Sequence, residues 1–153
     1  EISLGLVGSE MCIRDRFGTR FPFISDGAIP YGSCLSNDSL FKIQSDVIRE
    51  LAERQSCLFV GRCADSVLES YPNVISVFIR ANMPERIKRI TERQNISSRE
   101  AESLIKKRDK DRSLYYNFFT DKKWGRAESY DIVLNSTTLG VDRCVQIICS
   151  LVK

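Results

Sequence analysis

Two arginines four residues apart, Arg108 and Arg112, stand in the run KKRDKDRSLYYNFFTDKKWG, with Asp109 and Lys110 beside them. On a helix that spacing puts both guanidinium groups on one face. Such a pair could clamp a migrating phosphoryl group, whose transition state is stabilised mainly by positioned positive charge. An isolated charge run more often makes a solvated face laced by Asp–Arg pairs. Other polar groups follow apolar runs. Gly61-Arg62 comes after CLFV (57–60), Arg80 after VISVFI (74–79), and Asn135-Ser136-Thr137-Thr138 after DIVL (131–134). Ligands of open parallel sheets bind beyond the carboxyl ends of the strands. Two guanidinium groups and a hydroxyl-rich turn would then share one edge, and arginine's planar fork suits phosphate oxygens. A wet strand end explains any one of them; all three together favour an anion site.

The elements that must position these groups can be read from periodicity and punctuation. Residues 17–39 are rich in Gly, Pro, Ser and Asn and read as loop. Ser36 or Asn37 can cap a helix running through Gln55, with Leu40, Ile43, Val47, Ile48 and Leu51 at helical spacing. A strand is expected at 57–60 and a brief helix over Ala64, Val67 and Leu68, stopping near Pro72. After the strand at 74–79 comes a helix with Pro84 in its first turn, where a missing N–H does no harm. Ser97 and Glu100 form a capping box for a long helix to about Tyr116. The strand at 131–134 precedes a final helix from Val141 to Val152. Strands alternating with helices predict parallel crossover units and an α/β fold. The aromatics Tyr115, Tyr116, Phe118, Phe119 and Trp124 read as the packing that anchors the long helix.

Composition narrows the chemistry. A chain of 153 residues, 42% hydrophobic and 28% charged, fits one globular domain. No apolar run approaches the ~20 residues of a membrane-spanning helix. There is no histidine and no C-x-x-C among the six cysteines, which argues against a zinc site and removes Ser-His and Cys-His catalysis. The cysteines read as reduced core residues of a cytoplasmic protein. The net charge of +3 hides an asymmetry: residues 80–126 carry 14 of the 23 Lys and Arg but only 7 of the 20 acids. A basic segment on a mildly acidic body suggests a polyanionic partner.

The segments FVGRCADSVLESYPNVISVFIRANMPERIKRI, LIKKRDKDRSLYYNFFTDKKWG and YDIVLNSTTLG resemble the bacterial cytidylate kinase-like proteins, relatives of cytidylate kinase among the P-loop nucleoside monophosphate kinases. The likeness runs from about Ser36 to the C-terminus. It implies phosphoryl transfer from ATP, with Mg²⁺, to CMP, dCMP or a similar monophosphate, by an enzyme that is monomeric at full length. By the same resemblance Arg62 contacts the monophosphate, with Asp65, Arg80 and Asp109 as further substrate contacts. Arg108 and Arg112 fall in the lid, about residues 98–126, against the transferred phosphate. Ser136 and Thr137 fall near the donor's adenine. Cytidylate kinase itself has an aspartate directly after the arginine of its GR pair; this chain has Cys63 there and Asp65 two further on.

The family's opening strand, glycine-rich loop and helix, whose backbone N–H groups cradle the donor phosphates, are missing from the pattern. No Gly-Lys pair exists, so G-x-x-x-x-G-K-[ST] is absent; GAIPYGS (27–33) has the glycine spacing but carries Pro30 inside it and Ser33 in place of the lysine. SLGLVGSEMCIRD resembles translated sequencing-adapter DNA, so residues 1 to about 16 are expected to be foreign, with a partial kinase-like domain over 17–153. The expectation is an inactive chain with a P-loop kinase-like fold lacking its first strand, phosphate loop and first helix. A non-catalytic nucleotide-binding module is the alternative. An RNA-binding domain is disfavoured, because the basic residues lie on a lid rather than on a sheet face with aromatic platforms.

Overall fold

A computed structural model describes residues 37–152. The adapter-like segment, the GAIPYGS loop, Cys12 and Cys34 lie outside the described residues. In chain order the elements are α1 (Asn37–Arg54), α2 (Ala64–Val67), β1 (Val77–Arg80), α3 (Met83–Gln94), α4 (Ser98–Phe119), a 3₁₀ turn (Ala127–Ser129), β2 (Ile132–Asn135), α5 (Ser136–Leu139) and α6 (Val141–Leu151). Contacts divide them into two units at the Tyr71–Pro72 junction. The result is a mixed helix and sheet structure with a small parallel sheet, an α/β arrangement. No described helix is long and apolar enough to cross a membrane.

The first unit is built around α1. Its buried face is rotated from the one periodicity suggested. Ile48 is buried with Ala64, Val67 and Leu68, and Phe41, Ala52, Phe59 and Tyr71 pack against them, while Ile43 and Val47 are exposed. Ser45 shares the inward face at no polar cost, since its hydroxyl donates to the Phe41 carbonyl one turn back (2.8 Å). The strand expected at 57–60 is not one. A parallel strand exists only through its ladder, and among the described residues nothing pairs with this stretch. It keeps the period-two habit: Cys57 and Phe59 turn inward, Leu58 and Val60 outward. Gly61, Arg62 and Cys63 then all take positive φ (75°, 59° and 56°) and turn the chain into α2. Two non-glycine residues in succession in that region make a locally strained bend.

In the second unit β1 and β2 pair in parallel, Val77 opposite Ile132 through Arg80 opposite Asn135. The crossover between them is the helical pair α3–α4. Pro84 opens α3, and Asn95 closes it in the left-handed conformation with its N–H on the Thr91 carbonyl. The predicted capping box then starts α4. The Ser97 hydroxyl accepts from the Glu100 N–H (3.3 Å), and the Glu100 carboxylate accepts from the Ser97 N–H (2.9 Å). The Ser97 hydroxyl, which also donates to the Glu100 carboxylate (2.6 Å), and then the Ser97 N–H hold the Glu100 carboxyl below its usual range. A link this short folds α4 back along α3, and Ala101 and Ile105 are buried on α4. The far end of α4 is pinned to the sheet. Phe78 stacks on Tyr130 (4.9 Å) and meets Trp124 edge-on (5.4 Å), and Tyr116 lies 6.1 Å from Tyr130. Phe118, expected in this packing, is instead 73% exposed. Gly125 (φ +75°) closes the turn where any Cβ would touch the Phe78 ring at 3.4 Å.

Polar side chains clasp the two strands at both ends. At their start the Asp131 carboxylate accepts from the Ser76 N–H and hydroxyl, both at 2.7 Å, and the Asp131 N–H donates to the Ser76 carbonyl (3.1 Å). This diversion of Ser76 is why β1 begins at Val77 rather than at the predicted Val74. The two bonds from Ser76, backbone first, hold the Asp131 carboxyl below its ordinary 3.8. A depressed carboxyl stabilises the folded state above its unfolded pKa, and the gain is lost as pH falls through the folded value. Asp131→Ala should therefore cost about 1 kcal/mol at neutral pH, the size of an ordinary exposed hydrogen bond. Melting curves of the two proteins should converge as pH falls below 3.8.

Candidate functional site

The carboxyl edge of the sheet is closed by its own polar groups. The Ser136 hydroxyl, buried, donates to the Arg80 carbonyl (3.1 Å) across the strand pair. Thr137 accepts from the Asn82 N–H through its hydroxyl (2.9 Å), and its own N–H donates to the Asn135 side chain that caps α5 (3.1 Å). Asn135 also donates to Asn82 (3.4 Å). So Arg80, Ser136 and Thr137 do share one edge. The two hydroxyls hold the strand ends together, and the exposed Arg80 side chain stands at the rim.

A second polar concentration lies between α3 and α4. An open cleft of about 170 Å³ is lined by Arg86, Arg89, Ile90, Ile105, Arg108 and Arg112. Its lining is mostly apolar surface, contributed by two isoleucines and four arginines. Asp109 holds Arg86 in a two-bond fork, both distances 2.7 Å, with each partner largely shielded. The same carboxylate takes a third, longer bond (3.0 Å) from the more exposed Arg112. Arg89 pairs with Glu85 one turn away (3.1 Å). Arg108 makes no ion pair among the described residues. Four guanidinium groups thus meet two carboxylates, and the cleft carries a surplus of two positive charges. Exposed pairs such as Arg54–Glu50 and Lys106–Glu102 are each worth ~0.5 kcal/mol or less. The half-buried fork between Arg86 and Asp109 is the more specific tie, because its two bonds match the planar guanidinium to the carboxylate.

The sequence reading found Arg108 and Arg112 through their i, i+4 spacing and Asp109 beside them; the structure places both arginines on this cleft and ties Asp109 to it through Arg86 and Arg112. It missed Arg86 and Arg89. Their signal was the R-x-x-R spacing on α3 together with the short 95–97 link, which returns α4 along the same face. Arg62 and Asp65 belong to the first unit, half-buried around the bend at 61–63. Between them Cys63 is buried, and its thiol is pushed up to about 12, first by burial and then by the Asp65 charge, against the opposing pull of Arg62. That sulfur is a packing group, not a nucleophile. The described cysteines are all free thiols, and Cys149 is exposed where a core position was expected. The described residues contain no group of three or more potential metal ligands.

A model of the cytidylate kinase-like family matches residues 7–138. No curated protein matches the chain. Among solved structures, the crystal structure of an uncharacterized protein from Eubacterium ventriosum is similar, with a TM-score of 0.72 and 34% sequence identity. The likeness covers 76% of this chain and 66% of that one, just under two thirds of its length.

Thiol chemistry checks the bend in the first unit. Iodoacetamide at about pH 8 should label Cys149 in the native protein and reach Cys63 only after unfolding, because a thiol held near 12 offers almost no thiolate. Peptide mass spectrometry reads the order. Equal rates at the two positions would contradict the buried, protonated assignment.

Proposed function

The chain belongs to the cytidylate kinase-like family, and from that premise we propose that it supplies the acceptor-binding and lid portion of a nucleoside monophosphate kinase. The reaction moves the γ-phosphoryl group of ATP, with Mg²⁺, to CMP, dCMP or a similar monophosphate. The observation that carries this reading is the α3–α4 cleft, with its two surplus positive charges and Arg108 outside any ion pair among the described residues. Such a cleft suits a doubly charged phosphoryl group, and arranged positive charge is the larger part of phosphoryl-transfer catalysis. In this reading Arg108 and Arg112 face the transferred group from the lid. Arg62 holds the acceptor phosphate, with Asp65 and Arg80 on the acceptor side. The turn at Ser136 and Thr137 borders the donor base. In this reading the fold is that of a P-loop nucleoside monophosphate kinase, although the chain carries no G-x-x-x-x-G-K-[ST].

Two assays test the reading. The chain as it stands lacks G-x-x-x-x-G-K-[ST], so purified protein should show no ATP-dependent conversion of CMP. A version carrying a kinase strand, glycine loop and helix ahead of Phe17 should convert it. In that version Arg108→Lys and Arg112→Lys keep the charge but lose the planar fork, and each should lower kcat by roughly a hundredfold. Arg62→Lys should mainly raise KM, since the acceptor phosphate is bound in the ground state as well as in the transition state. If both lid variants turn over like their parent, the α3–α4 cleft is only a solvated face.

A further inference from the structure

Asp109, which the family resemblance makes a substrate contact, is bonded to two of the arginines that line the cleft, and the charge surplus gives no reason for it. An anion-binding cleft would attract its ligand more strongly without it. Yet Asp109 is the most heavily bonded acid of the second unit's helices. Both oxygens are engaged, Oδ2 by Arg86 and Oδ1 by Arg86 and Arg112 together. The three bonds are unequal. Arg86 is gripped by two short, parallel contacts in a half-buried setting, and Arg112 is held by one longer contact with half its side chain in solvent. Arg86 comes from α3 and Arg112 from α4, so one carboxylate ties together guanidinium groups of two different helices.

We infer that Asp109 is a positioning residue: it fixes Arg86 and presents Arg112 to an incoming phosphate, and does not itself touch the nucleotide. A carboxylate facing a phosphate would repel it, whereas a carboxylate spent on two arginines orders them in advance. Preordering removes the rotamer entropy that a long side chain otherwise loses when its ligand arrives. The weaker tie to Arg112 lets that group swing onto the ligand while the fork to Arg86 stays closed. The inference rests on the cleft being a phosphate site.

Charge and positioning predict opposite signs, which makes the test direct. The full chain is titrated with inorganic tripolyphosphate at fixed ionic strength, following arginine Nε–Hε signals by NMR. Asp109→Asn adds one positive charge to the cleft and removes the fork. Glu92→Gln makes the same change in net charge on exposed α3 surface outside the cleft. Positioning predicts that Asp109→Asn binds about five- to tenfold more weakly than the parent, despite the added charge, and that Glu92→Gln binds at least as tightly. Arg86→Lys, which keeps charge and loses the fork, should weaken binding similarly and serves if Asp109→Asn does not fold. Asp109→Asn binding as tightly as Glu92→Gln, or Arg86→Lys binding like the parent, would overturn the positioning role and leave the cleft as a phosphate site. No binding by the parent chain would remove both.

Discussion

Two parallel strands of four residues cannot hold themselves together, and the second unit is organised around that weakness. A parallel ladder this short offers few slanted hydrogen bonds, and small isolated sheets are marginal in water. Side chains supply what the ladder lacks. Asp131 and Ser76 lock the strands where they begin, and Ser136 on Arg80 with Thr137 on Asn82 locks them where they end. Both clasps join residues 53 to 56 positions apart in sequence, so they fix the crossover as well as the register. Phe78, projecting from the middle of β1, then gives the aromatic cluster a fixed base, and the C-terminal half of α4 is seated on it through Trp124, Tyr130 and Tyr116.

The geometry of the arginine cleft follows from that seating. With one end of α4 on the sheet and the other capped at Ser97 beside the end of α3, the helix pair has little freedom to splay. Ile105 and Ile90 line the cleft, and the fork between Arg86 and Asp109 crosses the gap at the level where the surplus charge gathers. An ion pair in this half-buried position contributes little net stability once desolvation is counted. Its consequence is directional, because a two-bond contact allows one relative placement of the two helices where a hydrophobic contact allows many.

Much of this was legible in the chain. Each element boundary set by local chemistry is found near its predicted place: Pro84 at the start of α3, the Ser97–Glu100 box before α4, the α6 helix from Val141. Local signals are readable because capping and φ restriction act within one turn. What failed depended on partners distant in sequence. The CLFV stretch has strand composition but no ladder among the described residues, and composition cannot supply one. The α1 face was misjudged because Ser45 satisfies its hydroxyl within the helix and so can turn inward, while Ile43 and Val47 do not. Arg108 and Arg112 were legible as a pair four apart. Arg86 was not, because its meaning comes from Asp109, 23 residues later.

Those failures and the arginine cleft share a cause, which is that both are assembled from conflicts local rules would avoid. Arginines crowded on facing helices repel one another, and a sequence selected for stability alone would intersperse them with acids or leave them on opposite faces. Two carboxylates offset half of the four charges, by Glu85 on Arg89 and Asp109 on Arg86 and Arg112, and the rest is uncompensated by ion pairs among the described residues. The same logic applies at 61–63, where Arg62 and Cys63 are held at positive φ although neither side chain favours it. A strained bend persists only when its surroundings over-determine it, and here the buried Cys63, Ala64, Val67 and Leu68 do so. The apolar packing of α1 and α2 therefore holds Arg62 in a backbone conformation it would not adopt alone. In the same way the clasped sheet and the aromatic cluster hold α4 where its arginines must face those of α3.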